Sequence, residues 1–250
     1  MGFFKNTKEI SGEEIKWAFL ILCIGLLFYT NLRNSLFTNE RIFSFTLMGI
    51  IVILLTIFYY LLIKHRSKIF RTKKQMIFFI ILIACIFTCM IPHSVKDVYS
   101  YIGCGWTAAH YEENPYFMSA QQVQEKYHIQ DAMYEKIANV WKNEPMIYGP
   151  LWTLISTVLT FLSFGNPILA LYLFKIFNLM MHLLTCLFIY KITKKKMLVL
   201  LYGLNPVILL EGLMDAHNEI FMITLIIIAI YYTIRKKNLW LSVLFIALAT

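Results

Sequence analysis

The apolar positions of this chain fall into runs of bilayer length, separated by short basic stretches and by one long polar, aromatic segment. A membrane-crossing helix takes about 20 largely apolar residues. Trp17–Thr30 with its flanks predicts the first such helix and Ile42–Ile63 the second. Met76–Ile91 predicts a third, shorter one that Pro92 ends, because proline lacks the N–H and fixes φ. Further on, Leu151–Phe164 is a short apolar stretch closed by Gly165-Asn166-Pro167. Ile168–Tyr190 predicts a full span, Met197–Leu213 another that Asn205-Pro206 interrupts, and Ile220–Ile234 a further one. Leu239–Ala249 begins a span and stops at Thr250, so the chain is expected to be truncated or to end in a half helix. The pattern predicts an all-α protein, a polytopic transmembrane helix bundle.

The segment from His93 to about Met146 is too long and too aromatic for a plain connector. Ile102–Glu112 is expected to form a short helix ending before Asn114-Pro115-Tyr116. Ser119–Trp141 carries apolar residues at Val123, Tyr127, Ile129, Met133, Ile137, Val140 and Trp141, a mostly helical spacing. Two readings stay open for it: an interfacial helix lying on the bilayer with Tyr and Trp at headgroup level, or an amphipathic helix packed on the rest of the protein. The chain thus divides into N-terminal helices with a basic loop (1–92), an external loop (93–147) and a second set of helices (148–250).

Composition agrees: 59% of the 250 residues are hydrophobic and 15% charged, against about 25% charged in soluble domains. The net charge of +9 is bunched in three runs: Lys64, Arg66, Lys68, Arg71, Lys73 and Lys74; Lys191, Lys194, Lys195 and Lys196; and Arg235, Lys236 and Lys237. Basic runs between apolar spans mark cytoplasmic loops. They make nucleic acid the weaker partner, since no folded polar domain presents them. With the first run inside, the N-terminus is cytoplasmic and the 93–147 loop external. Its acids (Asp97, Glu112, Glu113, Glu125, Asp131, Glu135, Glu144) outnumber its lysines (Lys96, Lys126, Lys136, Lys142), which suits that side. Glu9, Glu13 and Glu14 precede the first apolar run and no small-residue cleavage site follows it, so that run reads as a retained helix. The five cysteines show neither metal spacing nor a disulfide framework.

Span counting and charge conflict over Leu151–Phe164. If it crosses fully, the 191–196 run falls outside and Asp215 inside. If it dips in and returns, both basic runs are inside and Asp215 joins Asp97 outside. The two basic runs favour the second arrangement, and re-entrant backbone is tolerated where it lines a polar cavity.

Two acidic corners then carry the candidate chemistry. Asp97 opens the external loop, where a carboxylate at the water boundary can act as general base toward a hydroxyl; a solvated capping carboxylate is the plain alternative. Tyr99 and Tyr101 could wall a sugar or lipid headgroup, although Tyr is enriched at interfaces anyway. In Asp215-Ala216-His217-Asn218-Glu219 the two carboxylates stand at i, i+4, on one helical face. Carboxylates with a histidine are chemically compatible with a divalent cation, but nothing in the spacing demands one. The alternative is a polar turn between helices. Lys175 lies well inside a span, with Asn178 and His182 on its face. A lysine there costs about 2.5–3.5 kcal/mol to insert, and contacts a phosphate, snorkels, or joins helices through a carboxylate.

Three segments taken together are familiar: Asp97-Val98-Tyr99-Ser100-Tyr101 with Asn114-Pro115-Tyr116; Tyr148-Gly149-Pro150-Leu151-Trp152; and Asn205-Pro206 followed by Asp215-Ala216-His217-Asn218-Glu219. Their order and spacing over about residues 76–234 resemble the bacterial polyprenyl-phosphate-mannose-dependent mannosyltransferases of the GT-C class, the α-1,6-mannosyltransferase-like group nearest in pattern. The resemblance implies a multi-pass enzyme of the cell membrane with its site at the outer face. It implies a polyprenyl-phosphate sugar donor, a glycan or lipid-linked acceptor, and transfer with inversion. Asp97 takes the place of the family's catalytic acidic residue, and Tyr148 belongs to a motif near the donor. His217-Asn218-Glu219 takes the place of a His-Asn-Asp motif, with Glu for the final Asp. Family members have further helices, which is why truncation, down to an inactive remnant, is an expectation here. The rival class is a transporter or flippase-like protein binding a solute through Lys175, Asp215 and Glu219. The absence of an evident internal repeat counts against it.

Overall fold

The computed structural model describes residues 11–36, 41–93 and 97–249, with backbone only for 33–36 and 41–45. Glu9, Lys96 and Thr250, which figure in the sequence reading, lie outside the described residues. The fold is all-α, with no strand among the described residues.

Helix α1 (Gly12–Leu36) packs on α2 (Arg41–Lys64), and the single turn α3 (Arg66–Ile69) tucks under α1. Trp17, Ile21, Ile24 and Phe28 project from α1 unburied at helical spacing, an apolar face of the kind lipid covers. Helix α4 (Lys73–Thr88) starts on a capping box in which Thr72 and Gln75 bond reciprocally. It stops three residues short of the expected Ile91, because Pro92 biases its predecessor away from helical backbone.

The loop follows as a layer of short helices: α5 (Asp97–His110), α6 (Ala120–Tyr127), α7 (Ala132–Glu135), α8 (Asn139–Lys142) and α9 (Pro150–Phe161). Two expectations are corrected here. Helix α5 begins at Asp97 rather than Ile102, with the carboxylate in the first turn where the positive helix end favours it. The stretch 119–141 is not one helix. His128 turns left-handed (φ 53°) and closes α6, and Asp131 caps α7 by accepting the Met133 N–H. Val123, Met133 and Ile137 are buried in the same cluster as α5, so this stretch packs on the protein.

Helix α9 lies against α5 at unusually short range. A Cβ on Gly105 would stand 2.4 Å from the Ser156 carbonyl oxygen, so only glycine permits this approach. Its 12 residues rise about 18 Å, well below the bilayer core of about 30 Å.

The second half is built on α10 (Pro167–Thr193), which packs against α12 (Glu219–Tyr231) and α11 (Lys196–Gly203). The interruption expected at Asn205-Pro206 is a 58° bend between α11 and a π-helical segment, Ile208–Met214. A second wide-turned segment, Tyr232–Lys236, leads from α12 to α13 (Leu239–Ala247). Among the described residues three helices are long and apolar enough to cross a membrane, or four if the bent pair is one span. Two apolar cores result. One joins α1, α2, α4, α11 and the π segment; the other joins α5–α9 to α10 and α12. The candidate chemistry sits where they meet.

Candidate functional site

The corner at 208–219 is shaped by α10. The π segment ends at Asp215, whose N–H bonds to the Leu210 carbonyl (2.9 Å). Ala216 is left-handed (φ 58°), a conformation that costs a non-glycine residue about 1–2 kcal/mol. Two polar side chains one turn apart on α10 hold it there. Lys175 Nζ donates to the carbonyls of Leu213 (2.7 Å) and Met214 (2.5 Å). Asn178 Nδ2 donates to those of Gly212 (3.0 Å) and His217 (2.8 Å). Helix-end carbonyls lack intrahelical partners, and here buried side chains supply them.

The two acidic corners meet. The His93 N–H donates to Asp215 Oδ1 at 2.7 Å. The Tyr101 hydroxyl lies 3.4 Å from Asn218 Oδ1 and 3.3 Å from the Tyr148 hydroxyl. Tyr101 also stands edge-on to Tyr148 and Trp152, with ring centres 5.1 and 5.3 Å away. Gly149 and Pro150 start α9, and this places Trp152 in the core, among Tyr101, Phe174 and Phe221.

Two clefts open at the junction. The first, about 310 Å³ with the space open to solvent included, is lined by Asp97, Ser100, Tyr101, Trp141, Glu144 and Tyr148 together with the apolar Pro145, Met146 and Ile147. The second, about 620 Å³, has apolar walls of Val207, Ile208, Ile220 and Ile223 and a polar end of Glu211, His217 and Glu219. His217 Nδ1 is 3.4 Å from Glu219 and its Nε2 is 3.9 Å from Glu211.

Asp97 is half-buried, and its Oδ1 is buried with no hydrogen-bond partner among the described residues. Burial is the main influence and holds the carboxyl above the usual aspartate range. The His217 charge and the Trp141 indole N–H pull it down, while Glu219 and Asp215 push it up. For His217 burial is again the largest influence and favours the neutral ring. Glu219, Asp97 and Glu211 together outweigh it and raise the imidazole above its ordinary value. Asp97 and His217 thus bias each other's ionisation across the gap between α5 and the 208–219 corner.

Of the residues singled out in the sequence, Asp97, Tyr101 and Tyr148 line the first cleft, and His217 and Glu219 the second. Asp215, Asn218 and Lys175 are buried and face the protein. Lys175 and the buried Tyr99 line neither cleft. His182 stacks on Tyr202, ring centres 5.1 Å apart. The sequence reading missed His93, Ser100, Trp141 and Glu144. Ser100 stands one turn from Asp97 on α5 and was within reach of periodicity. Trp141 and Glu144 are not, because that strand of loop is set by a tertiary bond, Met146 N–H to the Pro115 carbonyl (2.8 Å). Among the described residues no group of three His, Cys, Asp or Glu side chains is arranged to hold a metal ion.

The geometry provides a half-buried carboxylate at one cleft, electrostatically coupled to the polar end of a second, larger cleft with apolar walls. Neither a curated protein nor a solved structure matches the chain. The family description "alpha-(1->6)-mannopyranosyltransferase, N-terminal domain" matches residues 28–250. That is most of the chain, which therefore belongs to the alpha-(1->6)-mannopyranosyltransferase family, a family of glycosyltransferases.

Proposed function

We propose that the protein moves a mannosyl group from a polyprenyl-phosphate donor to a glycan or lipid-linked acceptor, at the outer face of the membrane. The observation that carries this reading is Asp97, half-buried at one cleft and coupled electrostatically to His217 and Glu219 at the polar end of a second cleft with apolar walls. The isoprenoid chain lies along Val207, Ile208, Ile220 and Ile223, with its phosphate near His217. The acceptor enters between Asp97, Trp141 and Tyr148.

The acceptor oxygen attacks the anomeric carbon while Asp97 takes its proton, and the bond to the phosphate oxygen breaks. Polyprenyl phosphate leaves with that electron pair. One displacement inverts the anomeric centre. A cation aimed at the departing phosphate lowers the barrier; His217, whose imidazole is biased toward its charged form, supplies it. Lys175 acts indirectly, by fixing the backbone that carries His217. The outer-face assignment is supported by the clustering of the basic runs: Lys73 and Lys194 flank one tyrosine, and Arg235 bonds the Ile192 carbonyl.

Membranes carrying the protein, given labelled polyprenyl-phosphate mannose, are expected to place label in a new glycan. Solute uptake into vesicles without glycan product would instead support a carrier. Single-cysteine labelling from each side is expected to find positions 97 and 216 outside and 195 inside; residues 97 and 216 on opposite sides would end the proposal.

A further inference from the structure

A second groove lies at the basic end of the bundle. Helix α4 runs 16 residues, about 24 Å, from Lys73 toward the Asp97 side. The groove occupies its first turns, facing the second half of α10. Ile77, Ile81, Leu183 and Leu187 form its walls, and Lys73 and Tyr190 stand at its mouth. It encloses about 640 Å³, some of it open to the surroundings, and apart from those two residues its lining is nearly all apolar.

The mouth has an uncompensated charge. Lys73 Nζ sits 3.8 Å from the Tyr190 ring centre and Lys194 Nζ 5.6 Å from the same ring. Neither ammonium has a carboxylate partner among the described residues. Both lysines are exposed beside the same ring, and the ring quadrupole cancels neither charge. A phosphate within reach of both would meet two cations. Basic pockets between membrane helices at this face suit anionic headgroups.

We propose that this groove holds an acyl chain of an anionic phospholipid from the leaflet at the basic face, with Lys73 and Lys194 clasping its phosphate. A zwitterionic phospholipid brings its own cation and gains less. The site is independent of the transferase chemistry and lies on the opposite side of the bundle from it.

The test uses the purified full chain, loaded with equal phosphatidylglycerol and phosphatidylcholine and read by native mass spectrometry. Phosphatidylglycerol is expected to be retained preferentially. In Lys73→Ala/Lys194→Ala that preference falls about tenfold or more, as expected for two lysines acting on one headgroup. Lys237→Ala, on the same basic face but outside the groove, keeps it. If the lysine pair proves necessary for folding, Ile77→Trp at the exposed rim serves instead and must displace the retained phosphatidylglycerol. Equal retention of the two lipids overturns the proposal. So does loss of preference in Lys237→Ala, or stronger retention of polyprenyl phosphate through the same lysines.

Discussion

Asp97 stands half-buried at the head of α5 with one oxygen unpartnered. Asp215 has no exposed surface, accepts the His93 N–H, and lies close enough to Lys175 for their charges to couple. The two carboxylates occupy one junction and meet opposite conditions. A buried carboxylate that is hydrogen-bonded and has a cation beside it keeps a backbone in place. One held at the rim of a cleft, raised by burial and with one oxygen unpartnered, is free to exchange a proton. The difference separates a structural acid from a candidate general base where sequence position could not.

Four experiments sharpen or break that contrast. Asp97→Asn is expected to lower sugar transfer by about 10²–10⁴-fold, the range for losing a general base, with the thermal melting of the solubilised protein unchanged. Asp215→Ala is expected to do the reverse. It removes the acceptor of the His93 N–H and the negative charge near Lys175; losing the partner of a buried polar group costs about 1–3 kcal/mol, visible as a drop in melting temperature. Activity should fall only with the folded fraction. A destabilised Asp97→Asn together with a stable, inactive Asp215→Ala would exchange the two roles. Gly105→Ala, which drives a Cβ into the Ser156 carbonyl, is expected to destabilise the layer behind Asp97 by about 1–3 kcal/mol.

The smallest effect is a shift in pH profile. Under the proposed mechanism the carboxylate form of Asp97 is the active one, so transfer should be present above its folded pKa and lost as pH falls through it. Burial raises that value, so the acid limb should lie above the ordinary aspartate pKa of about 3.9. The His217 charge lowers it and Glu219 raises it. His217→Ala should therefore move the limb to higher pH and Glu219→Gln to lower pH. Limbs unmoved by both substitutions would disconnect Asp97 from the corner opposite.

The all-α class and the order of the two acidic corners were legible because apolar runs and proline breaks survive in any environment. The π segment was not. Asn205-Pro206 announces a break, but the wide turn over Ile208–Met214 depends on carbonyl partners from Lys175 and Asn178, more than 30 positions earlier. Lys175 was correctly singled out as an expensive residue, yet its partners are backbone atoms, which carry no letter in a sequence. The division of 119–141 was hidden for a related reason. Left-handed backbone usually advertises itself as Gly or Asn, and here it falls on His128. Trp141 read as one apolar position among many until the folded loop brought it beside Asp97.

The bond from the His93 amide to Asp215 joins positions 122 apart. During synthesis the first of these leaves the ribosome long before the second, and contacts so distant close late. A nascent chain that has released only its first two hundred residues therefore carries Asp97 on a corner with nothing opposite it. A chain released only that far lacks the His217 and Glu219 charges that act on Asp97 in the folded protein.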